Sequence, residues 1–486
     1  MEGIYTVKNG IKSYKAYIGG RWIESRSKQT ITAVSPIDGK PFAEIQALSK
    51  QECVFAIKFA KEKQEEMKAL PAVKRAKILN TVADLLMEEK KLFTDLLVKE
   101  IGKPLQDAES EVERTADSLR FCAEEGKRIF GESMFGDSVP DGTKKKLGII
   151  CREPIGTVLA IAPSNYPLNL ASAKIGPAFA AGNTVVLKPP TQGSIVGLHF
   201  AELFRLAGLP DGALNVVTGK GSEIGDALVT HPDINMISFT GSAETGEAIS
   251  KKAGMVRLSM ELGGKDPMIV LEDADLEKAV KAAVSGAFSF AGERCTAVKR
   301  VLVHEKIKDQ FMKRLVAETK KVKHGDPSKT GIDVGPLFDK PSADKVRGLI
   351  DEAVAKGAKI KCGGKNKGLY FEPTILDNVS LDMQIAWVEQ FGPVLPVIKV
   401  KSLDEAIKIA NKSEYGLQAD VFTNDINKAF YAAFKLEAGT VQINGKSSRG
   451  PDHFPFGGVK HSGIGREGIK YAVEEMTQIK AIVLNL

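Results

Sequence analysis

A cysteine and a glutamate in two glycine-marked segments carry the strongest chemical signal in this sequence. Cys295 lies in Ala-Gly-Glu-Arg-Cys-Thr at 291–296, and Glu261 lies in Met-Glu-Leu-Gly-Gly-Lys-Asp-Pro at 260–267. A thiolate can attack a carbonyl carbon, and a carboxylate can activate the water that later breaks the covalent intermediate. An unpaired cysteine is more often a small buried hydrophobe, but the polar neighbours here argue against that. We therefore predict covalent catalysis at Cys295, with the adjacent Arg294 guanidinium favouring the thiolate.

Other polar side chains follow apolar, strand-like runs. Asn165, in Pro-Ser-Asn-Tyr-Pro at 163–167, can donate a hydrogen bond to an oxyanion, although an Asn at that place is more often a helix cap. Lys188 and Thr191, in Lys-Pro-Pro-Thr, present an ammonium and a hydroxyl at the next strand end. Lysine binds phosphate as a point charge, whereas the alternative is an exposed lysine in a proline turn.

Two further turns could contact a cofactor. Gly241, Ser242 and Gly246 form a G-x-x-x-x-G pattern between a strand and a helix. Glycines allow close backbone approach, and a helix N-terminus attracts a pyrophosphate. The spacing is not the dinucleotide fingerprint, so a simple helix start explains it equally well. Glu389, in Glu-Gln-Phe-Gly-Pro at 389–393, can accept two ribose hydroxyl bonds or lie in a polar loop.

The elements that must position these residues alternate between strand and helix from about residue 155. Short apolar runs predict strands and amphipathic or apolar stretches predict helices, so the pattern indicates α/β architecture with a parallel sheet covered on both faces. The alternation restarts after Gly263, which predicts a second α/β domain. Residues 54–130 are predicted to be mainly helical. The predicted strands are 155–162, 184–187, 214–217, 235–239, 268–271, 301–304 and 479–486, and the predicted helices are 168–181, 194–207, 223–230, 244–253, 276–290 and 307–323.

Composition excludes several classes of protein. The chain has 486 residues, 43% hydrophobic and 27% charged, which is ordinary for a globular protein of two or three domains. The net charge of +7 is spread along the chain, so nucleic acid is not an expected partner. Five scattered cysteines predict neither a disulfide framework nor a metal site. We expect no membrane segment and no signal sequence, and hence a cytoplasmic protein.

Taken together, the motifs resemble those of the aldehyde dehydrogenase superfamily, in order and over nearly the whole chain. The resemblance implies that Cys295 attacks an aldehyde, that Asn165 and the Cys295 backbone N–H hold the oxyanion, and that Glu261 activates water against a thioester. The cofactor contacts that it implies are Lys188, Thr191, Gly241, Ser242, Gly246, Glu389 and Phe391. The matching segments are 163–167, 188–191, 239–242, 261–265, 294–295, 389–393 and 454–458.

The resemblance also implies the aldehyde dehydrogenase fold, with three parts. A Rossmann-like cofactor-binding domain is expected over 1–134 and 155–262, and an α/β catalytic domain over 263–467. A β-strand oligomerisation element is expected over 135–154 and 468–486. The terminal strand is predicted to join or cover the sheet of a second copy, with packing inside its own subunit as the alternative. A homodimer or homotetramer is therefore expected.

Within the superfamily, the chain looks closest to the branch that oxidises glyceraldehyde 3-phosphate directly to 3-phosphoglycerate. The substrate-phosphate residues of that branch correspond to Arg114, Tyr166, Arg294 and Arg449. A phosphate suits several guanidinium donors, although each arginine taken singly is more often part of a surface ion pair. One departure is Glu293, where the branch usually has Gln. A carboxylate there weakens phosphate binding unless it points away or pairs with an arginine.

Thr191 indicates which of the two nicotinamide cofactors, NADP or NAD, is expected. NAD-preferring relatives usually have Glu at this position, which repels a 2′-phosphate. A neutral Thr191 removes that repulsion and leaves Lys188 to pair with the phosphate, so NADP is expected. The alternatives are a dehydrogenase of another small anionic aldehyde, such as succinate semialdehyde or lactaldehyde, and, more remotely, an inactive binding protein. Coenzyme-A acylation is disfavoured because Glu261 supplies a base for hydrolysis.

Overall fold

Strands form the framework of the protein. The computed structural model describes residues 3–8 and 10–486, so part of the amino-terminal stretch used for the signal-sequence prediction lies outside it. The strands of the described chain are β1 (Tyr5–Lys8), β2 (Ile11–Tyr14), β3 (Ala16–Ile18), β4 (Arg21–Ile23), β5 (Thr30–Val34), β6 (Pro41–Gln46), β7 (Glu132–Gly136), β8 (Thr143–Pro154), β9 (Thr157–Ile161), β10 (Thr184–Lys188), β11 (Leu214–Val216), β12 (Met236–Thr240), β13 (Arg257–Glu261), β14 (Pro267–Val270), β15 (Arg300–His304), β16 (Lys359–Cys362), β17 (Asn366–Lys367), β18 (Tyr370–Phe371), β19 (Thr374–Asp377), β20 (Val394–Val400), β21 (Tyr415–Gly416), β22 (Gln418–Phe422), β23 (Thr440–Ile443), β24 (Val459–Lys460), β25 (Gly463–Ile464) and β26 (Thr477–Asn485).

Helices cover both large sheets. They are α1 (Lys50–Glu62), α2 (Gln64–Ala69), α3 (Ala72–Glu88), α4 (Lys90–Ile101), α5 (Leu105–Glu125), α6 (Asn169–Ala181), α7 (Ser194–Leu206), α8 (Gly221–Val229), α9 (Ala243–Lys252), α10 (Leu276–Phe288), α11 (Lys308–Thr319), α12 (Lys340–Ala355), α13 (Leu403–Asn411), α14 (Ile426–Lys435) and α15 (Ile469–Glu475). Short 3₁₀ turns lie at Gly126–Arg128, Ser289–Gly292 and Gln384–Ala386. Among the described residues, no helix is both long and apolar enough to cross a membrane.

The first large sheet carries the first group of predicted site residues. Its eight strands run in the order β25-β13-β12-β9-β10-β11-β3-β4. The five strands from β13 to β11 are parallel, and β25, β3 and β4 add antiparallel edges. Strands β9, β10 and β12 are buried along their whole length, as continuous apolar runs predict. Their carboxyl ends therefore lie side by side at one edge, where ligands of parallel sheets bind.

The second large sheet carries the cysteine segment. Its seven strands run in the order β16-β19-β20-β15-β14-β22-β23, and all neighbouring pairs except β16 with β19 are parallel. Its core includes Val301 and Leu302, which are fully buried. The α/β fold class predicted from the sequence is confirmed.

A third, three-stranded sheet joins distant parts of the chain. Strand β26 pairs antiparallel with β8, from Thr477 opposite Pro154 to Asn485 opposite Lys146, and β7 lies on the far side of β8. Strand β26 has a neighbour on one side only in the described chain. It exposes Ile479 and Val483 to solvent. The segments of this sheet are those expected to form the oligomerisation element.

Three features differ from the expected element pattern. The four-stranded sheet β1-β2-β6-β5 and the hairpin β3-β4 were not predicted, because these strands are short and contain no apolar run longer than three residues. Strand β13 and the elements from α12 to α15 were not predicted either. Helix α10 ends at Phe288, not at residue 290. Phe290 and Ala291 have left-handed φ values of 50° and 52°, which the α-helix cannot contain. This turn sets the direction in which the chain reaches Cys295.

Candidate active site

Cys295 lies where two cavities meet. An open cavity of about 540 Å³ is lined by Arg114, Tyr166, Glu261, Arg294 and Arg449 among others. A second, of about 860 Å³, is lined by Asn165, Gly241, Ser242, Glu389 and Phe391 among others. Cys295 and Thr240 line both. Cys295 thus borders two cavities. Arginine side chains line the first, and backbone turns line the second.

The loop that carries Cys295 is anchored by Lys299. The Lys299 ammonium donates to the carbonyl oxygens of Arg294 at 2.8 Å and of Cys295 at 2.5 Å. It also forms an ion pair of 3.3 Å with Glu389. Lys299 is buried in the strand-to-loop segment before β15. It was not predicted from the sequence, since its spacing of four residues from Cys295 has no meaning outside a helix.

The surroundings of Cys295 favour the protonated thiol. Burial raises the pKa of Cys295 to about 12, and the Lys299 ammonium opposes that shift. The expectation that Arg294 favours the thiolate is not met by the geometry. The Arg294 guanidinium points back to donate to the carbonyl oxygens of Gly286 and Ser289. The cation that favours the thiolate is Lys299.

Asn165 faces the cysteine loop from the first sheet. It follows β9, and its Nδ2 donates to the carbonyl oxygen of Glu293 at 2.9 Å. Asn165 is buried and lines the second cavity together with Cys295. The amide has two N–H groups, so one remains for an oxyanion. Helix α6 has no side-chain cap, so the alternative role of a helix cap does not apply.

Glu261 ends β13 without a hydrogen-bond partner. Both carboxylate oxygens are buried and unpaired among the residues that the structure describes. Burial, and then the neighbouring Glu467, raise the pKa of Glu261 well above its ordinary value. A Cβ on Gly457 would lie 2.8 Å from Glu261 Oε1, so glycine there makes room for the carboxylate. A raised pKa and unused oxygens suit a general base.

Behind Glu261 lies a buried charge network that the motifs did not reveal. The Lys174 ammonium donates to Glu467 Oε1 at 2.8 Å and to Thr240 Oγ1 at 2.7 Å. Burial opposes ionisation of Glu467, but the Arg449 and Lys174 ion pairs bring its pKa below the ordinary value. The sequence offers one indication of this network, because Lys174 is the single charged residue of the fully buried helix α6. No comparable feature of the sequence marks Glu467.

Two of the predicted substrate arginines meet beside this network. Arg114 Nη2 donates to Asp452 Oδ1 at 2.8 Å and to the Arg449 carbonyl oxygen at 3.0 Å. Arg449 Nη1 lies 2.6 Å from Glu467 Oε2. Both guanidiniums line the first cavity. The structure thus brings Arg114 of α5 next to Arg449 of the loop after β23. Neither arginine forms the exposed surface ion pair that was the alternative.

Tyr166 and Arg294 complete the arginine-rich side. Tyr166 lies edge-on to Phe290, with ring centroids 5.8 Å apart. The Lys103 ammonium is buried 3.6 Å from the centroid of the Tyr166 ring and pairs with Glu111. Burial raises the pKa of Tyr166, which keeps the phenol as a hydrogen-bond donor. Tyr166, Arg294, Arg114 and Arg449 therefore all line one cavity.

Glu293 points away from this cavity. Its Oε1 accepts the Phe338 N–H at 3.1 Å, and its Oε2 is buried without a partner in the described chain. Burial, with Asp339 adding to it, raises the pKa of Glu293 well above the ordinary value. Glu293 does not line the arginine-rich cavity, and its raised pKa favours the neutral acid, which resembles the expected glutamine in shape. The side chain therefore meets the condition that it points away from an anionic ligand.

The second cavity is built from three turns. Ser242 is the N-cap of α9, with its Oγ accepting the Thr245 N–H at 3.2 Å. The N-terminus of that helix thus points into a cavity that Gly241 and Ser242 line. Glu389 Oε1 accepts the Gly264 N–H at 3.1 Å, which leaves lone pairs on the carboxylate for further donors. Phe391 lines the same cavity with a left-handed φ of 44°.

Gly246, Lys188 and Thr191 lie away from the lining of both cavities. A Cβ on Gly246 would lie 2.5 Å from Leu262 Cδ2, so its glycine is required by packing of α9 against the end of β13. Lys188 ends β10, and burial lowers its pKa to about 8. Its ammonium donates to the Pro189 carbonyl oxygen at 3.1 Å. Thr191 lies in the following turn, half-buried.

The chain is similar to known proteins over nearly its full length. The model of the aldehyde dehydrogenase family matches residues 22–482. An NADP-dependent glyceraldehyde-3-phosphate dehydrogenase of Streptococcus equinus is 48% identical over 98% of this chain and 99% of its own length. That of Pisum sativum is 48% identical over 97% and 95%. The crystal structure of the enzyme from Bacillus halodurans C-125, complexed with NADP, has 48% identity and a TM-score of 0.96 over 97% and 99%.

Proposed function

Because the chain belongs to the aldehyde dehydrogenase family, we propose that it is an NADP-dependent, non-phosphorylating glyceraldehyde-3-phosphate dehydrogenase. It oxidises D-glyceraldehyde 3-phosphate to 3-phosphoglycerate and forms no acyl phosphate. One observation carries this conclusion: the cavity that holds Cys295 and Glu261 is also lined by three guanidiniums and a phenol. The relatives that are 48% identical have this activity in their names.

The first chemical step occurs at Cys295. Its thiolate attacks the aldehyde carbon, and the carbonyl oxygen becomes an oxyanion as the C–S bond forms. The free N–H of Asn165 and the backbone N–H of Cys295 stabilise that charge. Since burial raises the pKa of the thiol to about 12, the thiol must first transfer its proton to solvent water through the cavities that Cys295 lines.

The second step breaks a thioester. When bound, NADP supplies the hydride acceptor that converts the thiohemiacetal into the thioester. Glu261 then removes a proton from water, which attacks the acyl carbon and releases Cys295 as the thiolate. The raised pKa of Glu261 makes it a stronger base than an exposed glutamate. Its unpaired oxygens are available for the water.

The arginine-rich cavity selects the substrate. A phosphate monoester carries close to two negative charges at neutral pH. Arg114, Arg294 and Arg449 provide planar donors for its oxygens, and Tyr166 provides an O–H. Charge-assisted hydrogen bonds contribute about 1.5–3 kcal/mol each. An aldehyde without an anionic group gains none of these, so the cavity favours the phosphotriose.

The second cavity fits the cofactor. The N-terminus of α9, with Gly241 and Ser242, suits a pyrophosphate, and the Glu389 carboxylate suits ribose hydroxyls. Lys188 and Thr191 lie outside this cavity, at the end of the parallel strand β10, where they would offer the adenosine 2′-phosphate an ammonium and no carboxylate. The absence of an acidic group at 191 is the feature that favours NADP over NAD.

We also propose a division of the chain into three parts. The cofactor-binding domain covers 1–134 and 155–262, the catalytic domain 263–467, and the oligomerisation element 135–154 and 468–486. Among the described residues, one edge of β26 has no strand partner, and this edge and the exposed apolar side chains Ile479 and Val483 support addition to the sheet of a second copy. We therefore propose that the protein is a homodimer or a homotetramer.

We also propose a cytoplasmic location, which is supported by five cysteines that show no disulfide pattern.

A substrate panel tests the function. We expect kcat/KM for glyceraldehyde 3-phosphate with NADP to exceed that for glyceraldehyde, lactaldehyde and succinate semialdehyde by at least about 100-fold, the equivalent of two charge-assisted bonds at the lower limit. Each aldehyde is assayed with NADP and with NAD. Equal efficiency on an aldehyde that lacks phosphate would reject the phosphotriose as the substrate.

A further inference from the structure

Asp452 joins the two arginines that enter the substrate cavity from different parts of the chain. Its Oδ1 lies 2.8 Å from Arg114 Nη2 and 3.9 Å from Arg449 Nε. Its Oδ2 accepts from Arg114 Nε at 3.3 Å. One carboxylate therefore contacts a guanidinium of helix α5 and a guanidinium of the loop after β23. The two residues of the Arg114–Asp452 pair are 338 positions apart in the sequence.

The Asp452 carboxylate contacts Arg114 and Arg449 from outside the cavity that contains Cys295. The cavity that contains Cys295 is lined by Arg114 and Arg449, whereas Asp452 lines the adjoining cavity with Arg449, Ser448 and Phe456. Asp452 thus binds the Nε and Nη2 edge of Arg114 and lies near Nε of Arg449. Nη1 of Arg114 remains for the substrate, and so does Nη2 of Arg449, because Glu467 takes Nη1 of Arg449. The Arg114 N–H that also reaches the Arg449 carbonyl oxygen at 3.0 Å keeps the two arginines together.

We propose that Asp452 is a specificity-determining positioning residue, which fixes Arg114 and Arg449 at the spacing that one phosphate group needs. This inference rests on the proposed function. A flexible arginine side chain loses conformational freedom when it binds an anion, and a guanidinium already held by a carboxylate has lost much of it beforehand. Preorganisation of this kind strengthens binding without any new contact. Asp452 does not touch the reacting atoms.

If Asp452 acted only through its negative charge, its removal would affect phosphate binding in the opposite direction. A negative charge behind the arginines repels a phosphate, so its removal would strengthen phosphate binding if charge alone mattered. Positioning predicts that its removal weakens binding. The sign of the change in KM therefore decides between the two roles.

The test compares Asp452→Asn with the unmodified enzyme on two substrates. We expect KM for glyceraldehyde 3-phosphate to rise about tenfold, as for one weakened charge-assisted contact, with kcat and the kcat/KM for glyceraldehyde nearly unchanged. Inorganic phosphate, as a competitive inhibitor of glyceraldehyde oxidation, should bind correspondingly more weakly. A lower or unchanged KM for the phosphotriose would overturn the inference.

Two further variants sharpen the result. Asp452→Glu keeps the charge but moves the carboxylate by one methylene, so positioning predicts a raised KM and a charge role predicts none. It also carries the test if Asp452→Asn fails to fold. Asp84→Asn removes a carboxylate from an exposed pair with Arg120 and should leave both substrates unaffected. If the unmodified enzyme shows no preference for the phosphotriose, the proposed function fails, and that result is distinct from a failure of Asp452 alone.

Discussion

Glu261 and Glu467 oppose each other's charge, but cations contact only Glu467. Lys174 lies 2.8 Å and Arg449 2.6 Å from the Glu467 carboxylate. Both oxygens of Glu261 lack a partner among the described residues. The shared environment therefore ionises Glu467 and keeps the proton on Glu261 to a higher pH. One carboxylate sets the basicity of the other.

Glu467→Gln should shift the activity profile to lower pH. Removing the like charge lowers the pKa of Glu261, and it frees Lys174 and Arg449 to lower it further. Activity requires the ionised base, so the acid limb of the kcat–pH profile moves down, and the plateau falls because a weaker base is less effective. The measurement is kcat against pH for glyceraldehyde 3-phosphate.

The same variant should lose stability. Breaking a buried ion pair from one side costs about 3–5 kcal/mol, visible as a lower urea midpoint. Glu437→Gln, which removes a half-exposed partner of Lys460, is the matched control and should alter neither property. An acid limb that stays in place or moves up in Glu467→Gln would contradict the coupling of the two carboxylates.

Glu293→Gln should raise stability, and increasingly so as pH rises. The folded pKa of Glu293 lies well above its ordinary value because of burial. A carboxyl whose pKa is raised by folding destabilises the protein progressively as pH rises from the unfolded pKa toward the folded one. A neutral amide has no such dependence. Thermal unfolding from pH 5 to pH 8 should show a widening difference in Tm, and a constant difference would show that Glu293 is already ionised when folded.

Thr191→Glu should reverse the cofactor preference. A carboxylate that came within about 4 Å of the 2′-phosphate would cost about 1–4 kcal/mol, so KM for NADP should rise at least several-fold while KM for NAD falls or stays the same. Thr191→Gln adds the same bulk without charge and serves as the control. An unchanged ratio of kcat/KM for NADP over NAD in Thr191→Glu would remove Thr191 from the explanation of cofactor choice.

Arg294→Leu should separate two roles of the residue beside the nucleophile. Loss of charge-assisted bonds of about 1.5–3 kcal/mol raises KM for the phosphotriose roughly 10- to 100-fold. Its bonds to the Gly286 and Ser289 carbonyl oxygens also support the cysteine loop, so kcat falls modestly for every aldehyde. Equal losses of kcat/KM for glyceraldehyde 3-phosphate and glyceraldehyde would leave Arg294 with the loop-supporting role only.

Most strands and helices between residues 155 and 323 could be predicted because each buried strand is a short, continuous apolar run, whereas β13 and the elements from α12 to α15 were not predicted. Val158 and Val186 are fully buried in such runs. Most residues of the predicted motifs line the two cavities, since strand ends of a parallel sheet converge at one edge, but Lys188, Thr191 and Gly246 do not. The amino-terminal strands escaped prediction because they are short and their burial does not follow side-chain polarity. In β2, the apolar Ile11 is exposed and the polar Ser13 is buried.

Contacts between distant segments could not be predicted. Lys174 and Glu467 are 293 positions apart, and nothing in the spacing of either residue points to the other. The contacts of the Arg294 guanidinium with the Gly286 and Ser289 carbonyl oxygens could not be predicted either. The raised pKa of Glu293 depends on its burial, which the sequence does not show.

The product formed without inorganic phosphate tests the central claim most directly. Glyceraldehyde 3-phosphate and NADP are incubated with the enzyme in a phosphate-free buffer, and 3-phosphoglycerate and NADPH are quantified. Hydrolysis of a Cys295 thioester by water that Glu261 activates predicts equal amounts of both products, at a rate that added phosphate does not raise. NADPH formation that depends on added phosphate, or an acyl phosphate as product, would contradict it.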